Sequence, residues 1–250
     1  MAKRLAAIDT SMSAGERETR CELAAAFRVA YRFGWNRTIS NHMTARLPDN
    51  PDHFLMNARG FGWHEITPDN LIKLDLDGNV LSETELMPGP AGLNFHSAIL
   101  RAKPHINATL HLHPMAGVVV SALEEGLRFY DQEGCAIWGQ VAYHRFEGLA
   151  EEADEAPRII ADLGNRFTMI MQNHGLLTVG RTIGECFVFM DTLVRACETQ
   201  ERIMASGGRA RPLSREVCEH TSKQMEKRRG NKPGGELEWR MYRRLVAEQV

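Results

Sequence analysis

The stretch NATLHLHP, Asn107–Pro114, decides how the rest of the chain is read. Successive side chains of a strand point to opposite faces, so His111 and His113 share one face, about 7 Å apart along the backbone, while Leu112 points into apolar packing. Imidazole is the commonest metal ligand among side chains, and neutral nitrogen donors suit zinc, iron, manganese or cobalt. On the residues alone, two hydrogen-bonded core histidines fit the pair equally well. A third histidine sharpens the choice. His174 ends the apolar run FTMIMQNHG, where a buried strand breaks at Gly175, and sites in α/β sheets gather at strand ends. Three histidines from two strands leave coordination positions open, as catalytic sites require.

The chain alternates element types around this stretch. ERETRCELAAAFRVAYRFG (16–34) carries apolar residues at helical spacing and stops at Gly34. WNRTISNHMTARLP (35–48) reads as a turn entering a strand. HFLMNARGFGWHEIT (53–67) reads as a strand breaking into a glycine-rich loop, followed by a short turn at TPDNL. IKLDLDGNVL (72–81) alternates around an Asp-Gly turn, a hairpin signal. Then come a short helix at NFHSAILRAK, the histidine strand, and a helix over MAGVVVSALEEG closed by Gly126. Strand pieces follow in CAIWGQVAYHRF, then a helix in AEEADEAPRIIADLG. Two strands hinge at His174-Gly175, and a long helix runs through TIGECFVFMDTLVRACETQERIMAS. Strands alternating with helices under short connections predict an α/β or α+β fold with helices layered on a sheet. Residues 1–15 read as a mobile tail, 16–206 as one domain, and 207–250 as a polar linker and terminal helix packing on that domain.

With 250 residues, 43% of them hydrophobic, the chain can bury a sizeable core. A net charge of -2 gives no electrostatic footprint for nucleic acid or an anionic membrane. Apolar runs fall short of the roughly 20 residues of a membrane span, and the N-terminus turns polar too early for a signal peptide. A cytoplasmic protein acting on small molecules is expected. The five cysteines lack CxxC spacing, which argues against both a disulfide framework and a thiolate zinc site. No glycine-rich loop of the dinucleotide or P-loop type is present.

ATLHLHP, QNHGLLTVG, FLMNARG with EITPDNLIKLDLDG, and NFHSAILRAKP together resemble the class II aldolase/adducin family, in order and spacing, from about Ala24 to Ala205. The resemblance implies a three-layer fold with a central, mainly antiparallel sheet covered by helices. It also implies one divalent metal ion (Zn, Mn, Fe or Co) on His111, His113 and His174, and a homotetramer with active sites at subunit interfaces.

The chain departs from the family's sugar-phosphate aldolases at their base. Those carry a Ser-Ser-Glu segment shortly before a Phe-His pair. Aligning that pair with Phe95-His96 puts Gly92 at the glutamate and Pro90-Ala91 at the serines. The usual Gly-Asn becomes Asn41-His42, and the usual Thr-Pro-x-Gly becomes Asn57-Ala58-Arg59-Gly60. Losing the phosphate-binding residues and the base together predicts an unphosphorylated, aromatic-tolerant hydroxy or keto acid as substrate. The expected activity is a metal-dependent lyase, by decarboxylation or retro-aldol cleavage. The rivals are a non-haem Fe(II) oxygenase of aryl keto acids and a non-catalytic oligomerisation domain, as in animal adducins.

Asn41, Arg59, Gly60 and Gly92 are the expected substrate-binding positions, and His42 is the expected acid or base. Tyr130 and Tyr143 are candidates for the proton-donating tyrosine that related aldolases take from a neighbouring subunit. His64 is expected at the pocket mouth or on the loop surface, and Tyr242 as a cover over the pocket. Trp239 and the stripe Phe187, Phe189, Met190 and Leu193 read as packing. His96 reads as structural or as orienting a ligand, and His53, His105, His144 and His220 as surface or loop residues.

Overall fold

The computed structural model describes residues 12–149, 154–230 and 232–248. Helix α1, Ala14–Arg32, is capped by the Ser13 side chain, which accepts the Glu16 N–H at 3.0 Å. It buries Leu23, Phe27, Val29 and the alanines between them, then stops at Gly34 in the left-handed region, φ +72°. Strands β1 (His42–Arg46), β2 (His53–Asn57) and β3 (Leu71–Asp75) form an antiparallel meander. Helix α2, Pro90–Ala102, precedes β4, Ala108–Leu112, whose five residues are all buried. After α3 (Met115–Ser121) come β5 (Val141–His144), α4 (Ala156–Leu163), β6 (Thr168–Met171), β7 (Gly175–Gly180) and the long helix α5, Ile183–Ala205. Helices α6 (Arg215–Arg229) and α7 (Glu236–Arg244) complete the described chain.

The strands make one seven-stranded sheet in the order β3-β2-β1-β4-β7-β6-β5, antiparallel except for the β5–β6 pair. Its two faces bury separate cores. Met43, Ala45, Leu110, Leu112 and Leu176 pack with α1, α3, α5 and α7 on one side. Met56, Ile72, Leu74, Met169 and Leu177 pack with α2 and α4 on the other. This is the three-layer, mainly antiparallel arrangement that the family resemblance implies. Because side chains alternate, His42, Thr44, Thr109 and His111 face the α2 side. The β1–β4 register sets His42 opposite His111 and Thr44 opposite Thr109.

Several local expectations need correcting. The first eleven residues of the expected tail lie outside the described residues, and α1 starts at Ala14, inside that stretch. Helix α3 ends at Ser121 rather than at Gly126. The expected Asp-Gly hairpin is present but short: Leu74 in β3 pairs with Val80 in a single antiparallel bridge, and the Asp75 and Leu81 N–H groups donate to the Asn79 and Lys73 carbonyls at 3.1 and 2.8 Å. The polar linker contains α6, whose pattern hides a helix because it buries only Cys218 and Ser222. Cys218 Sγ sits 3.5 Å from Cys135 Sγ, and Ser222 Oγ donates to the Trp138 carbonyl at 3.2 Å. No helix among the described residues is long and apolar enough to cross a membrane.

Among the described residues, Tyr242 makes no hydrogen bond or ring contact with the histidine cluster of its own chain. It is buried against Phe33 and Phe187, and its hydroxyl donates to Asp191 Oδ2 at 2.8 Å. Trp239 packs on Phe187 and donates its indole N–H to Glu22. Helix α7 is therefore pinned to α1 and α5 through two aromatic anchors. Trp239→Ala should lower the unfolding free energy by about 3–5 kcal/mol. Leu237→Ala, on the exposed face of the same helix, should change it by less than about 0.5 kcal/mol. Chemical denaturation of both variants checks this.

Candidate metal centre

The end of β4 and the start of β7 bring three imidazoles together. His111 lies in β4, His113 directly after it, and His174 in the turn that enters β7. One ligand atom from each lies within 4.8 Å of the others, and neighbouring ring centroids are 4.7 Å apart. A backbone carbonyl can only accept, so the 3.1 Å contact of His111 Nδ1 with the Leu176 oxygen places the proton on Nδ1. The Nε2 lone pair is thereby turned to the cluster, where His113 Nε2 lies 2.8 Å away. A carbonyl bonded to the far ring nitrogen is the usual support of a metal-ligating histidine.

Burial also keeps the cluster unprotonated. His113 is pushed down to about 4 by loss of solvation, helped by the charges of His174 and Arg37. His111 is held well below its ordinary value and His174 below it, again chiefly by burial. At neutral pH all three are lone-pair donors. Neutral nitrogen donors and open positions suit a divalent transition ion, so the residues fit the metal that the sequence implies.

Two glycines make room for these rings. A Cβ on Gly175 would lie 2.5 Å from His113 Cδ2 and 2.6 Å from the Leu112 carbonyl oxygen. A Cβ on Gly92 would lie 2.4 to 2.7 Å from ring atoms of His42. The His42 ring thus fills the space that any side chain at position 92 would enter. It stacks on His111 with centroids 5.1 Å apart and planes at 28°. Burial, with the charges of His113 and His174, pushes His42 down to about 3.

Behind His42 runs a buried polar seam that the sequence did not disclose. His42 Nδ1 contacts His96 Nε2 at 2.7 Å, and His96 Nδ1 bonds to the Thr109 hydroxyl. Thr109 Oγ1 is 2.6 Å from Thr44 Oγ1. His96, Thr44 and Thr109 are fully buried. The available signal was the mirrored alternation of HMT in β1 and TLH in β4, which becomes meaningful only once the two strands are known to pair.

The remaining candidates are placed as follows. Asn41 is buried beside His42 with φ +78°, and neither side-chain amide atom has a hydrogen-bond partner among the described residues. Arg59 and Gly60 are exposed in the loop after β2, with Gly60 at φ +99° and the Arg59 N–H on the Met87 carbonyl. Tyr143 faces outward on β5 and its hydroxyl accepts the Leu127 N–H at 3.0 Å. Tyr130 is half-buried. Among the described residues, neither tyrosine makes a hydrogen bond or ring contact with the cluster. His64 is exposed and tilts against Tyr31. His144, expected at the surface, is buried between Asp162 Oδ2 at 2.7 Å and Glu155 Oε1 at 3.3 Å. Phe146, half exposed, sets its ring 6.0 Å from His174.

The depressed imidazoles give the metal-free protein a pH signature. Unfolded histidines titrate near 6.5, and His113 and His42 titrate near 4 and 3 in the fold. Below pH 6.5 the unfolded chain therefore binds more protons than the folded one. Stability is complete above pH 6.5 and should fall steadily as the pH drops toward 4. Urea unfolding of chelator-treated protein across that range checks it. Gly92→Ala should displace the His42 ring and remove its stacking on His111, as crystallography of the variant would reveal.

Residues 21–201 match the family described as class II aldolase and adducin N-terminal domain. An aldolase class 2 protein of Caulobacter vibrioides is 40% identical over 196 residues, 78% of this chain and 76% of its own length. Rat alpha-adducin is 39% identical over 197 residues, which are 78% of this chain and 27% of that protein. The crystal structure of an aldolase II superfamily protein from Pseudomonas syringae superposes with a TM-score of 0.89 at 37% identity, covering 97% of each chain. An L-fuculose 1-phosphate aldolase from Glaciozyma antarctica gives 0.83 at 28% identity, covering 98% of this chain and 94% of that one. With its fold, its histidine cluster and these matches, the chain belongs to the class II aldolase/adducin family.

Proposed function

We propose that this protein is a divalent-metal-dependent lyase that cleaves the C–C bond beside a carboxylate or carbonyl of a small, unphosphorylated hydroxy or keto acid. The observation that carries the reading is the convergence of three neutral imidazoles, one of them fixed by a backbone carbonyl, at a strand end. His111, His113 and His174 would hold the ion. A divalent ion bound there supplies Lewis-acid stabilisation of the charge that develops when a C–C bond breaks.

The protein's own groups account for the rest. Gly92 and the His42 ring together occupy the space of the missing carboxylate, so the group beside the cluster is an imidazole and not a carboxylate. His42 is the residue proposed to act on the substrate. Arg59, a guanidinium with no ion pair among the described residues, suits a substrate carboxylate. Asn41 brings an amide with unused donors and acceptor, and Gly60 leaves backbone open beside Arg59. The exposed Phe146 ring near His174 favours an apolar or aromatic substituent on the substrate. Tyr143 or Tyr130 would serve a neighbouring subunit of a homotetramer with sites at its interfaces. Residues 16–206 are read as the catalytic body, with 207–250 packed on it as an appendage.

Metal analysis of protein purified without added metal tests the reading directly. Near one zinc, manganese or cobalt per chain is expected, falling at least about tenfold in His111→Ala and His174→Ala, since each removes one of three ligands. Iron retained only under anaerobic handling would replace the lyase with an oxygenase. No metal in any preparation would make the domain an adducin-like structural unit. Turnover of L-fuculose 1-phosphate at rates usual for an aldolase would overturn the unphosphorylated substrate.

A further inference from the structure

The polar seam behind His42 limits where its hydrogens can sit. His42 Nδ1 faces His96 Nε2 at 2.7 Å, so one of these two nitrogens carries the hydrogen between them. At its other side, His96 Nδ1 meets the Thr109 hydroxyl and, at 3.4 Å, the Thr44 hydroxyl. Those hydroxyls also meet each other at 2.6 Å. Both are fully buried, so no solvent reaches them, and no further side-chain partner exists for either among the described residues.

Two directions of the chain are conceivable. In the first, the Thr44 hydroxyl donates to Thr109, Thr109 donates to His96 Nδ1, and His96 Nε2–H donates to His42 Nδ1. Every hydrogen in the seam then has an acceptor. In the reverse direction His96 Nδ1–H donates to Thr109 and Thr109 donates to Thr44. The Thr44 hydrogen is then left with no acceptor, because among the described residues its hydroxyl has one other hydrogen-bonding contact, the protonated His96 Nδ1. An unpaired buried donor disfavours that arrangement by at least about tenfold.

We propose that His96, backed by Thr109 and Thr44, holds neutral His42 with its proton on Nε2, so that His42 meets the substrate as a hydrogen-bond donor and not as a base. His96, Thr109 and Thr44 are thus positioning residues, and His42 is the one that touches substrate. A neutral imidazole N–H is a suitable donor to an oxyanion, since it carries no competing charge into the site.

The consequence deepens the lyase reading and rests on it. Retro-aldol cleavage opens with removal of a hydroxyl proton, and a protonated Nε2 cannot take it. Decarboxylation opens without a base: the C–C bond breaks, CO₂ leaves, and the electron pair stays behind as an enolate. The His42 N–H stabilises that enolate oxygen, and the proton that completes the product comes from water. The site is therefore that of a decarboxylase of a β-keto acid or its vinylogous equivalent, in which the electron pair of the broken bond can pass to the carbonyl oxygen.

The test reads the proton itself. Zinc-loaded protein labelled with ¹⁵N-histidine is studied by long-range ¹⁵N–¹H correlation, with His42→Gln assigning the His42 signals. Protonated Nε2 and bare Nδ1 on both His42 and His96 are expected; a bare Nε2 on His42 would overturn the proposal. Calorimetric titration with oxalate, a mimic of the enolate, gives a second readout. Gln places an N–H where His96 Nε2 stands, so His96→Gln should bind oxalate within about threefold of the parent. His96→Leu should weaken it about tenfold at unchanged zinc content, the loss of one hydrogen bond to a charged ligand. Oxalate affinity unaltered in His96→Leu would also overturn the proposal. If the parent holds zinc and binds no oxalate, the lyase reading fails, while the ¹⁵N result still decides the tautomer.

Discussion

The register between β1 and β4 is the constraint on which the centre depends. Setting Ala45 opposite Ala108 and Thr44 opposite Thr109 carries His42 to a position opposite His111. A slip of one residue would turn Met43 and Leu110 to the polar seam and drive the imidazoles into the apolar core on the α1 side. The apolar residues of these strands therefore enforce the geometry of the polar ones. Met43, Leu110 and Leu112 are all fully buried in the core that α1, α3 and α5 cover. Hydrophobic burial, at about 25 cal/mol for each Å² removed from water, thus holds the register on behalf of side chains that gain little from burial themselves.

Those polar side chains have real costs. An imidazole or hydroxyl buried without a partner costs about 1–3 kcal/mol, and the seam escapes this because its members satisfy one another. His111 meets a carbonyl, His42 meets His96, and His96 meets a threonine. Asn41 is different: it sits in a left-handed backbone conformation with both amide atoms unsatisfied. Strain and an unfilled hydrogen-bonding group at one residue, next to the group that faces the centre, is how binding sites commonly depart from optimal stability.

Much of the fold was legible because its elements carry strong periodic patterns. Helices α1 and α5 and the buried strand β4 follow from apolar spacing, and the pair HLH with the break at NHG locates the centre. Helix α6 escaped because it buries almost nothing, so its sequence reads as a solvated linker. His144 was misjudged because the carboxylates that bury with it, Asp162 and Glu155, come from the region of α4 and are not neighbours in sequence. For His96 the sequence leaves a structural role and the orienting of a ligand both open, for a related reason. Its place on an apolar helix face is plain, but its partners Thr44, Thr109 and His42 belong to strands whose pairing no local pattern encodes.

Position 92 illustrates how a substitution that reads as a loss in one dimension is an exchange in three. The sequence has a glycine where related aldolases carry a carboxylate, which suggests an emptied site. The space is in fact filled by the ring of His42, which approaches so closely that no Cβ fits on residue 92. A side chain at 92 and the His42 ring in its present position therefore compete for the same space, and the two positions have to be considered as one unit. The exchange also changes the charge of the centre. A carboxylate would bring a negative charge to the metal and act as a proton acceptor. His42, neutral because burial penalises its charged form, would leave an ion held by His111, His113 and His174 with its full positive charge. An ion less neutralised by its surroundings is the stronger electrophile. On the proposed reading, a centre built this way would give up proton abstraction and gain stabilisation of an anion, a trade that suits a reaction starting with cleavage of the C–C bond.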